Sequence, residues 1–211
     1  MFIDIVEQLR CPRAHEESWL VLAADGVRDR DVLRGVLGCP VCHAEYPIAD
    51  GIARFADAPP TPTEPPSEEQ AMRLAAFLDL TSTQGIVALV GAWGNHGLLV
   101  RALTETHLLL VNPPRSVPMG DGISGLTAAG VLPLARGSLR GLALDASVDD
   151  AMARSALQAL RAGGRMLAPV GTPLPDGVRE LVRDDNIWVG ERAAAPESAP
   201  LMLLSRQRRG T

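Results

Sequence analysis

Aromatic side chains are scarce in this sequence of 211 residues: Phe, Trp and Tyr together make up 3%, while apolar residues reach 46%. There is enough apolar material for a core, but Leu, Val and Ala must fill it. Trp19, Trp93 and Trp188 are the few large anchors that a binding surface could use. Clusters of Lys and Arg are also missing. The net charge is −5, which disfavours a general nucleic-acid binder, because such affinity rests on clustered cations that displace counterions. The short run Arg206-Gln207-Arg208-Arg209 reads as a solvated tail. No apolar run approaches the ~20 residues that span a bilayer. Met1-Phe2-Ile3-Asp4-Ile5-Val6-Glu7 carries acids where a secretory signal carries a basic region. These absences predict a cytoplasmic chain with no membrane partner. Cysteine numbers only 3, and two of these form Cys39-Pro40-Val41-Cys42. In a reducing compartment that pattern points to metal rather than to a disulfide.

Proline, by contrast, is concentrated. Residues 57–66 read Asp-Ala-Pro-Pro-Thr-Pro-Thr-Glu-Pro-Pro, a composition that cannot continue a helix or a central strand and predicts an extended, semi-rigid spacer. It divides the chain into residues 1–56, the linker, and residues 67–211. Ser67 with Gln70 three residues on is a capping box, and Glu68 and Glu69 favour the positive helix end; a helix to about Leu80 follows. Ile86 to Val90 is a continuous apolar run, as expected of a strand buried on both faces. A Gly-rich turn from Gly91 to Gly97 leads into a helix over residues 98–103. His107 to Val111 and Gly141 to Leu144 read as further buried strands. Asp149 to Arg161 reads as a helix closed by Gly163-Gly164, and Arg165 to Pro169 as a strand. Asn186 to Val189 and Leu201 to Leu204 read as a final pair. The alternation predicts an α/β fold with a doubly wound sheet.

Cys39 and Cys42 at a tight turn present two thiolates on one side of a knuckle, which suits tetrahedral zinc. Cys11 is the third candidate ligand. A second C-x-x-C is broken by Ala14, and His15 is the candidate fourth ligand as a C-x-x-x-H variant. His43 is expected to point away. The stretch Cys39-Pro40-Val41-Cys42-His43-Ala44-Glu45-Tyr46-Pro47-Ile48-Ala49-Asp50-Gly51-Ile52 is similar to the signature of a family of small zinc-ribbon proteins. Ile5-Val6-Glu7-Gln8-Leu9-Arg10-Cys11-Pro12 resembles that family's start. Its members activate tRNA, rRNA and release-factor methyltransferases, and in bacteria they occur alone or fused to methyltransferase domains. The resemblance implies a zinc-ribbon-like α+β domain. Zinc binding, a metal-free ribbon with the cysteines packed as small hydrophobes, and a redox pair all remain open.

After Ser67 the order of elements resembles the class I S-adenosylmethionine-dependent methyltransferases. The segments that carry the resemblance are Leu132-Pro133-Leu134-Ala135-Arg136-Gly137-Ser138 with the strand that follows, and Ala159-Leu160-Arg161-Ala162-Gly163-Gly164-Arg165-Met166-Leu167. The family implies a doubly wound, Rossmann-like sheet and S-adenosylmethionine as cofactor. On that analogy Gly91, Gly94, Gly97 and Asn112 are the cofactor-binding candidates. The family's acids are absent: Leu89 or Val90 stands in place of the first-motif acid, Asn112 ends the second strand, and no acid lies between Gly125 and Leu132. Trp93 stands where a small residue is usual and is expected to fill the methionine pocket.

No catalytic residue stands out. Asn112-Pro113-Pro114 reads as a strand-ending turn, Asp145 as a cap for the helix after it, His96 as a solvent-facing loop residue, and His107 as a strand opener. Three functions fit the sequence. The first is a non-catalytic methyltransferase-like protein acting as adaptor or activator subunit through another protein, such as a methyltransferase or its substrate. The second is an active methyltransferase with an atypical pocket. The third is a structural subunit of a larger assembly.

Overall fold

The computed structural model describes residues 1–57 and 61–194. Among the described residues, eleven strands form one sheet. They are β1 Val21–Arg28, β2 Asp31–Gly38, β3 Glu45–Ala49, β4 Ile52–Arg54, β5 Ile86–Val90, β6 His107–Val111, β7 Ile123–Thr127, β8 Leu139–Ala143, β9 Leu160–Pro169, β10 Val178–Arg183 and β11 Ile187–Arg192. The helices are α1 Ile3–Val6, α2 Glu68–Phe77, α3 Gly97–Thr104 and α4 Asp150–Ala159, with a 3-10 helix at Gly91–His96. Among the described residues no helix is long and apolar enough to cross a membrane.

The spatial order is β1-β2-β3-β4-β7-β6-β5-β8-β9-β11-β10. From β7 onward the order, counted in the sequence of this part alone, is 3-2-1-4-5-7-6. Strands β7, β6, β5, β8 and β9 run parallel, and β11 is antiparallel. This is an α/β fold with a doubly wound, Rossmann-like sheet of methyltransferase type.

Period-two alternation sorts the buried runs onto the two faces. Ile86, Ala88 and Val90 of β5 and Leu109 and Val111 of β6 face one core. Val87, Leu89, Leu108 and Leu110 face the other, with Ala71 and Leu74 of α2 and Val100 of α3. The Ser67 hydroxyl accepts from Gln70 N at 3.3 Å and caps α2, while Asp149 caps α4 through Met152 N at 2.7 Å.

The two parts of the chain do not stand apart on a spacer. Strand β4 pairs in parallel with β7, so the antiparallel β1–β4 ribbon continues the α/β sheet. The connections over residues 112–122 and 128–138 carry no helix, which leaves that face short of cover. Residues 1–11 supply it. Met1, Ile5 and Leu9 are buried in the same core as Leu109, Leu126 and Leu139. The chain is tied down there by Arg10 N to Pro133 O at 2.9 Å and Ala135 N to Gln8 O at 2.8 Å.

Three elements differ from the sequence reading. Strand β11 lies between β9 and its hairpin partner β10, and Leu201 to Leu204 lies outside the described residues, as does Arg206 to Arg209. Strand β10 gave no apolar signal because only Val178 in it is buried. Strand β7 was hidden by Ser124 and Gly125. Gly125 is small because a Cβ there would meet Ile52 Cγ1 at 2.9 Å, and Ser124 accepts a hydrogen bond from Phe2 N at 2.9 Å. Helix α4 stops at Ala159, and Leu160 already opens β9.

Because Leu9 is wholly buried in the shared core, Leu9→Ala is expected to destabilise the whole protein by about 2–5 kcal/mol. Urea denaturation read by tryptophan fluorescence and by far-ultraviolet dichroism should still give one coincident transition. Two separated transitions would show that the parts fold independently.

Candidate functional site

Two places gather chemistry-bearing side chains. The first is in the N-terminal ribbon. Cys11 leaves the bridge between Arg10 and Trp19, His15 sits in the turn that follows, and Cys39 ends the chain leaving β2. A turn through Cys42 and His43 returns the chain to β3, closed by His43 N to Cys39 O at 3.0 Å and Cys39 N to Ala44 O at 2.9 Å. His43 adopts φ 57°; it makes the turn and is not among the clustered ligand atoms.

The structure brings Cys11, His15, Cys39 and Cys42 together, with one ligand atom of each within 4.8 Å of all the others. Cys11 Sγ lies 3.7 Å from Cys42 Sγ, and Cys39 Sγ lies 3.4 Å from His15 Nε2. A tetrahedral zinc with sulfur at 2.3 Å and nitrogen near 2.0 Å places neighbouring ligand atoms about 3.5–3.8 Å apart, so the donor set fits zinc. His15 Nδ1 bonds to Glu16 O at 2.6 Å, which leaves the Nε2 lone pair for the metal. Burial raises the Cys39 thiol, but the backbone N–H groups of Cys42 and Val41 outweigh it and hold the group down to about 6. Burial pushes the Cys11 thiol up, and its sulfur lies 3.4 Å from the Tyr46 hydroxyl.

The second place is the crevice at the carboxyl ends of β5 and β8, where the strand order reverses and where ligands of open α/β sheets bind. Gly91 has φ 59°, and a Cβ on it would lie 2.0 Å from Asp145 Oδ2. The Asp145 carboxylate therefore sits against the Gly91 backbone. It accepts from Ala92 N at 2.7 Å through Oδ2 and from Ser147 N at 3.0 Å through Oδ1. Asp145 does not cap α4, which Asp149 does; it reaches across the crevice to the start of the 3-10 helix, whose exposed N–H groups favour a carboxylate.

Trp93 lies over the same crevice and donates from Nε1 to Leu144 O at 3.0 Å. Gly94 and Gly97 let the chain approach Pro114 Cδ and Leu110, which a Cβ would meet at 2.9 and 3.3 Å. Asn112 has φ 53°, and its carboxamide is engaged at both ends: Nδ2 donates to Ala128 O at 3.0 Å, and Oδ1 accepts from Ala128 N at 2.9 Å.

The described part of the proline-rich segment is a strap over this crevice. Thr61 Oγ1 donates to Asn112 O at 2.5 Å. Asn95 accepts from Glu64 N at 3.0 Å and donates to Pro62 O at 3.2 Å. His96, 9% exposed, is not a solvent-facing loop residue; its Nδ1 accepts from Ser67 N at 3.1 Å. Asn95 escaped sequence reading altogether. On one side of the strap lies a cavity of about 570 Å³, between Glu64, Arg73, Trp93 and His96. On the other lies one of about 360 Å³, between Asn112, Ala128 and Met152; Asp145 borders both.

At the glycine loop the Asp145 carboxylate lies against the Gly91 backbone, and at the end of β6 the Asn112 carboxamide is engaged with Ala128 at both of its ends. His107, at the amino end of β6, stacks on Phe2 with ring centroids 4.0 Å apart.

No family model matches the chain, and no curated protein matches it. Among solved structures, one similar chain is a candidate S-adenosyl-L-methionine-dependent methyltransferase from Methanococcus maripaludis, with 8% identity, 62% of this chain and 87% of that chain covered, and a TM-score of 0.46. Another is an S-adenosylmethionine-dependent O-methyltransferase from Thermotoga maritima, with 10% identity, coverage of 77% and 79%, and a TM-score of 0.42. The fold class rests on the strand order of this chain, not on these likenesses.

Burial lowers the pKa of His96, so the native state takes up its proton later than the unfolded chain does. That share of stability is fully present above about pH 6.5 and is lost as pH falls towards the native pKa. Protonation also removes the acceptor for Ser67 N. Denaturation midpoints measured between pH 8 and pH 5 should fall with acid, and His96→Gln should reduce the slope. The residual slope belongs partly to His107, whose pKa burial also lowers.

Proposed function

We propose that this chain is a methyltransferase-like protein that binds rather than catalyses, serving as an adaptor or activator subunit for another protein. The observation that carries the reading is the Asp145 carboxylate bonded to Ala92 N and seated against Gly91. A ligand carboxylate entering there would meet a fixed anion and have no open backbone to approach. Trp93 across the end of β8, Asn112 locked to Ala128, and the strap over the crevice support the same reading. The ribbon supports a binding role of a particular kind. Its β4 edge is already used by β7 of the same chain, so the free edge is β1, beside which Trp19 and Val21 are each 62% exposed.

An active methyltransferase with an atypical pocket is the second reading. The cavity of about 570 Å³ at the switch point favours it, since that is room for a small acceptor. Calorimetric titration with S-adenosylmethionine and S-adenosylhomocysteine separates the two. The binding-protein reading expects no heat and no thermal stabilisation at millimolar ligand. A dissociation constant below about 10 μM, close to −7 kcal/mol, would sink it.

Within the same proposal the ribbon holds one structural zinc ion through Cys11, His15, Cys39 and Cys42. The set is closed, with four protein ligands and no position left for water or substrate. Purified protein is expected to carry a single zinc ion per chain by elemental analysis. Cys42→Ser should lose most of it and lower the melting temperature, and chelation of the parent protein should reproduce that loss. Full stability in the metal-free parent would show that the ribbon stands without metal.

A further inference from the structure

A different part of the molecule, at the amino ends of β8 and β9, gathers positive charge that the crevice does not use. The register of these two parallel strands slips there: Leu139 faces Leu160, but Gly141 faces Arg165. Arg140 thus stands opposite the extra residues 161–164, a bulge of the kind that re-aims side chains. Two arginines flank the bulge, Arg161 before Gly163 and Gly164 and Arg165 after them. They line a cavity of about 170 Å³ together with Arg140, Asp79, Ser82 and Gln84.

Arg140 is only 9% exposed. Its guanidinium holds the turn between α2 and β5 by donating to the carbonyl oxygens of Asp79, Ser82 and Gln84. Those carbonyl partners engage Nη1 and Nη2 but do not neutralise its charge. Among the described residues no carboxylate pairs with Arg140, nor with Arg161. The only acid in the cavity wall is Asp79, whose Oδ2 is 3.8 Å from Arg165 Nη2. The local sum is three cations against one anion, in a chain whose overall charge is −5. A buried cation without a counter-ion is costly, and guanidinium forks suit phosphate oxygens.

We propose that Arg140, Arg161 and Arg165 form an anion site that takes a single phosphate group, as inorganic phosphate or on a small phosphate ester. A discrete group fits better than a nucleic-acid backbone, because the cavity is small and the rest of the chain offers no basic stripe to carry a polymer. Arg140 provides the fixed charge at the floor, and Arg161 and Arg165 close on the oxygens from the rim. Asp79 competes with the ligand for Arg165. This gives the site a sign that general destabilisation cannot imitate. Asp79→Asn removes the competitor, and Asn tolerates the φ of 52° at this position.

The test uses the full chain and inorganic phosphate as the probe, by phosphorus NMR titration and by calorimetric melting against chloride at matched ionic strength. Phosphate should bind with a dissociation constant on the order of 0.1–1 mM and raise the melting temperature above the chloride control. The double variant Arg161→Ala/Arg165→Ala should bind about tenfold more weakly or worse. Asp79→Asn should bind about threefold more tightly. Arg179→Ala, at an exposed arginine paired with Glu191 on the far strand, should bind as the parent does. Phosphate that does no more than chloride would overturn the proposal, as would a double variant that binds like the parent. A short single-stranded oligonucleotide without terminal phosphate, followed by fluorescence anisotropy, distinguishes the source. No binding supports the discrete phosphate group. Binding that the double variant abolishes and inorganic phosphate does not compete away would overturn that assignment.

Discussion

A parallel sheet has to be covered on both faces, because its strands are apolar on both and its backbone groups must stay dry. This chain has only four helices for the task among its described residues, one of them a single turn. Helices α2 and α3 cover one face. On the other, α4 covers the β8–β9 side, and the region over β6 and β7 would lie open. The N-terminal chain fills that gap with Met1, Ile5 and Leu9, and its ribbon then continues the sheet through β4. Much of the remaining architecture follows from this need for cover. The ribbon is held against the sheet by it, and residues 61–66 lie as a strap over the crevice ahead of α2.

The crevice follows from the strand order, since the connections from β5 and β8 leave in opposite directions. What fills it follows from individual side chains. Asp145 satisfies the start of a 3-10 helix that would otherwise expose its N–H groups, and Asn112 satisfies the backbone where β6 and β7 diverge. Each of these groups stands where a ligand would be expected and makes an intramolecular bond instead. The glycine loop has the same double character. Its glycines admit close approach, and what approaches is Asp145, Pro114 and Leu110.

Much of this was readable from residues alone, for identifiable reasons. Strands β5 and β6 announced themselves because burial on both faces leaves an unbroken apolar run. Helix α2 did so because Ser67 and Gln70 are a local pair. The four potential metal ligands could be named because few side chains coordinate zinc and the knuckle spacing is short. What escaped was non-local. The bonds from Ala92 to Asp145, Glu64 to Asn95 and Ser67 to His96 join residues 53, 31 and 29 positions apart, and no local pattern records them. Strand β10 escaped because an edge strand has no buried face to mark it. The destination of Met1, Ile5 and Leu9 escaped because an apolar residue declares that it will be buried, not against what.

The pairing of β4 with β7 has a consequence for competition. The two strands belong to one chain, and the folded elements between Arg54 and Ile123 hold them side by side, so each meets the other at an effective concentration on the order of millimolar or above. A separate ribbon protein, or a separate sheet offering the same edge, would have to displace a partner that never diffuses away. At micromolar abundance and equal intrinsic affinity it would hold the edge about one time in a thousand. Tethering thus insulates this pair of strands from exchange with other sheet edges, and directs any traffic with other proteins to surfaces the tether does not occupy.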